Sequence, residues 1–339
     1  MRGILPLRLT ALFVLIALNL LSCDLFKEDM FPIYLGQEEA FLDISELIQD
    51  LGLSDSYFVG KMRPVKVPSL LKTYIALPLY QFMGPASLVF LDGKNLSVLK
   101  RYTNSPDAPI PIGKFFILDM DGYIVTGYNH NLIRFDPDTL EPYDNQHLPG
   151  NPIDFAEYGF TAESETESGT YLFGYDGGAL KLQHYGTGWS LENTYSQTGV
   201  FECDDASQYI LLDLYFDGTG LYLALKNRET RKANILYWAS VSDFVNSFSA
   251  SSLAEGASLT TVPSGDDESG WLTGKGYMVW LHQNTNALDR YDLHKDQTLL
   301  DGFSLPSQFR GRTAFFQDGT GWLLYDERAQ SLHLLRPWW

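Results

Sequence analysis

From about residue 86 to the C-terminus, apolar and polar positions alternate in short runs separated by clusters of turn-forming residues. Residues 121–143 show the pattern most clearly. Tyr123–Thr126 is rich in β-favouring residues, and Tyr128–Asn131 is a turn cluster. Leu132–Phe135 alternates apolar and polar, and Asp136-Pro137-Asp138-Thr139 turns the chain again. A period of two with turn residues at its ends predicts a β-hairpin followed by a tight turn into a third strand.

Variants of this unit recur. A Gly before an aromatic or aliphatic residue marks the start of one strand at Gly122-Tyr123, Gly169-Thr170-Tyr171, Gly220-Leu221-Tyr222, Gly276-Tyr277 and Gly321-Trp322, spaced by 47, 51, 56 and 45 residues. Upstream, Ser87–Leu99 aligns through its Asn-Leu pair with Tyr123–Phe135, a step of 36. Asp-Gly pairs at 92–93, 121–122, 176–177, 217–218, 301–302 and 318–319 suit turns that need positive φ. Several short strands repeating at such a period predict an all-β chain, a β-propeller of six or seven blades. A pair of β-sandwiches is the alternative, but it would not require the spacing. The final unit, Thr313–Phe316, Gly321–Tyr325 and Ser331–Leu335, lacks a fourth strand, and an N-terminal strand would complete it and close the ring.

Before the repeats, Asp43-Ile-Ser-Glu46 has capping-box spacing, and Ile44, Leu47, Ile48 and Leu51 give one apolar face up to Gly52. This predicts a helix of about two turns. Residues 56–62 and 73–83 read as strands, with Pro78 placing part of the second at an edge or bulge. Thr161–Ser168 and the Ser-rich Ser242–Gly270 depart from the repeat and read as surface loops. The expected organisation is a leader over 1–22, a tether with the short helix over 23–54, and the propeller over 55–339.

Forty-five per cent hydrophobic and 14% aromatic residues with 29 Gly suit a large strand-and-turn domain. The formal charge is −18, and loss of residues 1–22 takes away Arg2 and Arg8 and no acid, giving −20. A surface this acidic repels phosphate backbones, so no nucleic-acid partner is expected.

Arg2 and Arg8 precede an apolar stretch, Leu9–Leu21, too short to span a membrane comfortably and shaped like a signal peptide. It ends in Leu20-Leu21-Ser22-Cys23, which resembles the lipobox of bacterial lipoproteins. The resemblance implies cleavage before Cys23, diacylglycerol on its sulfur and a fatty acid on its amine. Several acyl chains anchor stably where one does not. The implied location is the bacterial cell envelope, with the domain outside the cytoplasm. Asp24 resembles an inner-membrane retention signal of enteric bacteria, and the leaflet stays open. The other cysteine, Cys203, then has no partner in the chain. Its two adjacent acids argue for an inert, buried or harmless thiol.

Candidate chemistry is sparse. The six histidines (His130, His147, His184, His282, His294 and His333) lack metal-binding spacing, and no Gly-x-Ser-x-Gly or phosphate-binding glycine loop occurs. Asp136-Pro-Asp138 and Asp266-Asp267-Glu268 are the best calcium candidates, without the spacing of an EF-hand, and Asp136 more simply forms an Asx turn. No metal and no cofactor beyond the lipid on Cys23 is expected. Trp238, Trp280 and Trp322 fall in strands and are expected to pack between blades. Trp189, in a turn, and Trp271, after the Ser-rich stretch, are the candidate ligand-binding residues, since an exposed Trp can stack on a sugar or anchor a protein.

The whole pattern resembles the loosely repeated propellers of bacterial envelope proteins, in whose blades a turn like Phe135-Asp-Pro-Asp-Thr139 is common. The expected function is a lipid-anchored, exported, non-catalytic propeller binding an envelope protein or glycan. A scaffold role like that of the propeller lipoprotein of outer-membrane protein assembly is a fold-level analogy, because that family's quinoprotein-type blade motif is missing. The alternative is a carbohydrate hydrolase or lyase using funnel carboxylates. Close acid pairs would favour it; an apolar funnel would count against it.

Overall fold

The computed structural model describes residues 37–52, 57–81, 86–103, 111–163, 168–263, 270–273, 276–282, 287–293, 297–304, 313–315, 321–326 and 329–336. Cys23, the leader and Asp266-Asp267-Glu268 lie outside these residues.

Strand β1 (Gln37–Asp43) runs into helix α1 (Ile44–Asp50). Asp43 is its N-cap, accepting from the Ser45 amide at 2.8 Å, and Gly52, at φ +64°, lies just past Leu51, the C-cap. Ile44, Leu47 and Ile48 bury the predicted face in a core shared with Leu323, Leu332 and Leu334. The helix is therefore docked on the domain.

Six antiparallel sheets follow. Blade 1 holds β2 (Tyr57–Val59), β3 (Arg63–Val67), β4 (Lys72–Gln81), β5 (Ser87–Asp92) and β6 (Val98–Thr103). Blade 2 holds β7 (Ile117–Leu118), β8 (Ile124–Tyr128), β9 (Asn131–Phe135) and β10 (Pro142–His147). Blade 3 holds β11 (Ala156–Ala162), β12 (Gly169–Asp176), β13 (Ala179–Tyr185) and β14 (Leu191–Gln197). Blade 4 holds β15 (Tyr209–Phe216), β16 (Leu221–Asn227), β17 (Lys232–Trp238) and, after helix α2 (Val241–Ser247), β18 (Ser258–Pro263). Blade 5 holds β19 (Gly270–Thr273), β20 (Tyr277–His282), β21 (Ala287–Asp292) and β22 (Gln297–Ser304). Blade 6 holds β23 (Thr313–Phe315), β24 (Trp322–Asp326), β25 (Ser331–Arg336) and β1, which pairs antiparallel with β25. The inner strands touch in a closed ring, β3 to β7, β11, β15, β19, β23 and back to β3. This is a six-bladed β-propeller sealed by its N-terminal strand.

Two expectations change. Ser87–Leu99 is not the start of a separate unit: it forms the outer half of blade 1, so Asn95-Leu96 marks a β5–β6 turn where Asn131-Leu132 marks a β8–β9 turn. That one-strand slip explains the short step of 36 and the ambiguity between six and seven blades. Nor is 242–270 a plain loop. Ser240 caps α2, accepting from the Asp243 amide at 3.1 Å, and Phe244 and Phe248 pack on Trp238 and Phe173 before β18 completes blade 4. Trp238 and Trp322 are fully buried.

Candidate functional site

Inner strands of a propeller face a central channel, and an uninterrupted alternation would line it evenly. Three inner strands break that regularity at a common level. In blade 1, Gly60-Lys61-Met62 separates β2 from β3, although both pair with β4. The break lies opposite Pro78, which has no amide hydrogen to give, and Gly60 N donates instead to the Pro78 carbonyl at 2.7 Å. In blade 3 the register shifts at Glu157, and in blade 4 at Leu212. A bulge re-aims side chains and removes a carbonyl from the ladder.

The freed groups are satisfied across the channel. Lys61 Nζ donates to the Tyr158 hydroxyl, which donates to the Leu212 carbonyl. The Arg63 guanidinium donates to the Glu157 carbonyl at 2.8 Å, and both Lys61 and Arg63 lie over the Tyr158 ring, at 4.2 and 4.5 Å. Lys114, entering blade 2, pairs with the Glu157 carboxylate at 3.0 Å. Asp213 of blade 4 accepts the Leu214 amide at 2.9 Å and, from blade 5, the Leu272 amide at 2.8 Å. One polar layer thus ties five blades together across the channel.

Burial dominates its electrostatics. Burial, reinforced by Arg63, pulls the Lys61 ammonium down to about 7. Burial pushes the Tyr158 phenol up, so it stays protonated. Burial also raises the Asp213 carboxyl, with Arg63 opposing.

Above this layer, where the inner strands begin, lies a pocket of about 480 Å³. Phe58, Tyr80, Tyr128, Ile112 and Ile153 line it, together with Lys61 and Lys114. Phe58 and Tyr80 stack at 5.2 Å, and Phe58 and Tyr128 are 46% and 58% exposed. Glycines let two lining backbones approach closely: a Cβ on Gly113 would stand 1.9 Å from the Gly127 carbonyl oxygen. Below the layer, at the far strand ends, a second pocket of about 450 Å³ is bordered by Val65, Phe116, Asp119, Phe160, Glu163 and Phe216.

Trp189 lines neither pocket. Trp189 is only 5% exposed; its indole donates to Asp119 Oδ2 at 3.1 Å and its ring packs on Tyr185. The exposed stacking ring expected there is corrected to a buried anchor between blades 2 and 3. Trp271 falls in β19, and its side chain lies outside the described residues. Asp136 forms the Asx turn, accepting the Asp138 and Thr139 amides at 2.9 Å. Among the described residues no group of three or more His, Cys, Asp or Glu is placed to hold a metal. Cys203 is exposed rather than buried, at φ +68° in a turn.

Sequence reasoning missed Lys61, Arg63, Lys114, Tyr158 and Asp213. The available signal was Gly60 inside a strand run facing Pro78, which together mark a bulge.

No protein family matches the chain, and no curated protein sequence matches it. Solved structures similar to it include the Cps50 (Swd1) β-propeller domain of Myceliophteria thermophila, 9% identical with a TM-score of 0.46, covering 83% of this chain and 99% of that one. The Pan2 WD40 domain of Neurospora crassa is 8% identical with a TM-score of 0.46, covering 89% and 95%. A chain of a mitotic checkpoint complex is 11% identical with a TM-score of 0.47, covering 91% and 94%.

Proposed function

We propose that this chain is a lipid-anchored, exported propeller that binds a protein partner of the bacterial cell envelope, without catalysis, over the upper mouth of its channel. The observation that carries the reading is the upper pocket, bordered by exposed Phe58 and Tyr128 and lined by Lys61, which hydrogen-bonds to Tyr158. An apolar, aromatic rim around a pocket suits apolar side chains of a partner better than the hydroxyls of a glycan. A glycosidase would need two carboxyl groups free to act across one bond. Here Glu157 is paired with Lys114 and Asp213 accepts two backbone amides.

The anchor rests on Leu20-Leu21-Ser22-Cys23. Cys23→Ser is expected to abolish acylation and release the protein from membranes; a variant that still partitions with lipid overturns the anchor. The binding reading is tested by a photo-cross-linking residue at position 128 in the acylated protein within its own envelope. One reproducible protein adduct is expected, absent when the same residue replaces Leu71, which is exposed between β3 and β4. Equal capture from both positions, or none from 128, overturns it.

A further inference from the structure

Of the two ammonium groups that line the upper pocket, Lys114 is paired with a carboxylate and Lys61, among the described residues, is not. An ammonium has three N–H donors. Among the described residues the Lys61 ammonium has a single hydrogen-bond partner, the Tyr158 hydroxyl. Its neighbours are already engaged. Lys114 is paired with Glu157, Arg63 donates to the Glu157 and Lys114 carbonyls, and Tyr158 gives its own proton to Leu212. Asp213 is held by the Leu214 and Leu272 amides. A partly buried cation with unused donors is stabilised when an anion joins it.

We propose that the upper pocket takes an apolar carboxylate, its anionic group on Lys61 and its apolar body against Phe58, Tyr80 and Tyr128. This rests on the upper pocket being the binding surface. Two carboxylate oxygens match the two remaining N–H donors, and charge-assisted bonds in a low-dielectric floor are the strong kind. The apolar walls leave the outer oxygens of an inorganic phosphate or sulfate without partners. The acidic surface, at −18 overall, also repels a bare anion, so burial of an apolar body must contribute to affinity. A volume of about 480 Å³ fits such a ligand.

Two sources carry this chemistry: a free organic acid, or the C-terminal residue of a protein whose side chain is apolar. The bound anion also favours the charged amine. The groups facing Lys61 are Arg63 two residues on, Lys114 from blade 2, Glu157 and Tyr158 from blade 3, and Asp213 from blade 4, and Asp154 also borders the pocket. Since Lys61 titrates near 7, binding above that pH is accompanied by proton uptake.

The test is titration calorimetry on the whole mature chain with 4-phenylbutanoate, with a five-residue peptide ending in a free Phe carboxylate, and with the primary amide of each. At least one acid is expected to bind roughly tenfold or more tighter than its amide. That preference is expected to vanish in Lys61→Met and to persist in Lys100→Met, a surface control. At pH 8, two buffers of different ionisation heat are expected to show proton uptake with the acid and not with the amide. Which acid binds identifies the source. Equal binding of acid and amide, a preference unchanged in Lys61→Met, or no binding by any probe overturns the proposal. If position 128 captures a partner while acid and amide bind alike, the carboxylate assignment falls and the docking surface stands. If an acid binds through Lys61 and nothing is captured, the reverse holds.

Discussion

The two ends of the channel are built by the same inner strands, enclose similar volumes and differ in how their polar groups are satisfied. At the lower end, the polar groups find their partners within blades 2 and 3. Asp119 accepts the Asp121 and Tyr123 amides at 3.0 and 2.9 Å and the Trp189 indole, and the Thr161 hydroxyl donates to the Leu118 carbonyl at 2.7 Å. Arg134, beside Asp119, is clamped by Asp144 at 2.5 and 2.9 Å and by Asp121 at 3.1 Å. At the upper end, bulges turn polar groups across the channel, and one of them, Lys61, keeps donors in reserve. The lower contacts stay within two neighbouring blades, whereas the bulged layer above spans five. This contrast supports the proposed placing of the binding surface at the upper end.

The comparison can be broken outright by removing Gln37–Asp43. Without β1 the last blade loses its outer strand and α1 its register, so both ends should collapse together. Loss of the cooperative thermal transition is expected, an effect on the scale of a domain's whole stability, about 5–15 kcal/mol. A cooperative transition of unchanged midpoint would refute the closure.

Filling the upper end alone is a smaller change. Gly113→Ala forces a methyl into the Gly127 backbone and should cost about 1–3 kcal/mol by urea denaturation. Tyr158→Phe leaves the buried Leu212 carbonyl without its donor, for a similar cost of about 1–3 kcal/mol. Trp189→Phe at the lower end should cost less, about 1 kcal/mol, because Asp119 keeps its two backbone amides. If Trp189→Phe proved the costlier of the two, the contrast between the ends would fail.

Lys61→Met sharpens the contrast by its sign. Folding lowers the Lys61 pKa from 10.5 to about 7, so between those values the unfolded chain holds a proton that the folded one gives up. Stability of the natural protein should therefore rise with pH across that window, by this group's contribution. Lys61→Met should raise the thermal midpoint at pH 6 by a few degrees, with the gain shrinking toward pH 10. A gain independent of pH would mean that Lys61 is not desolvated.

Much of the fold was legible in the residues. The Gly-aromatic anchors mark the second strand of blades 2 to 6, since β8, β12, β16, β20 and β24 begin at or beside them. Asp43 and Gly52 bound the helix as expected, because caps are local. Blade 1 was misread because its Asn-Leu turn is chemically like a turn one strand away in blade 2. Helix α2 hid in a Ser-rich stretch because its apolar face is short and its stability comes from packing on Trp238 and Phe173.

The site was far less legible. Trp189 looked like a surface residue because its turn is polar, yet Asp119, distant in sequence, draws its indole inside. Lys61 reads as part of the strand expected over 56–62, and nothing local marks Asp213. Alternation, turn chemistry and capping act over a few residues, and by themselves they determined the strands, their repetition and the N-terminal closing strand. Which residues face one another across the channel was decided only by the tertiary structure. A register shift of a single residue in each of β11 and β15, and a break opposite Pro78, set which carbonyls are left free and which cation must answer them.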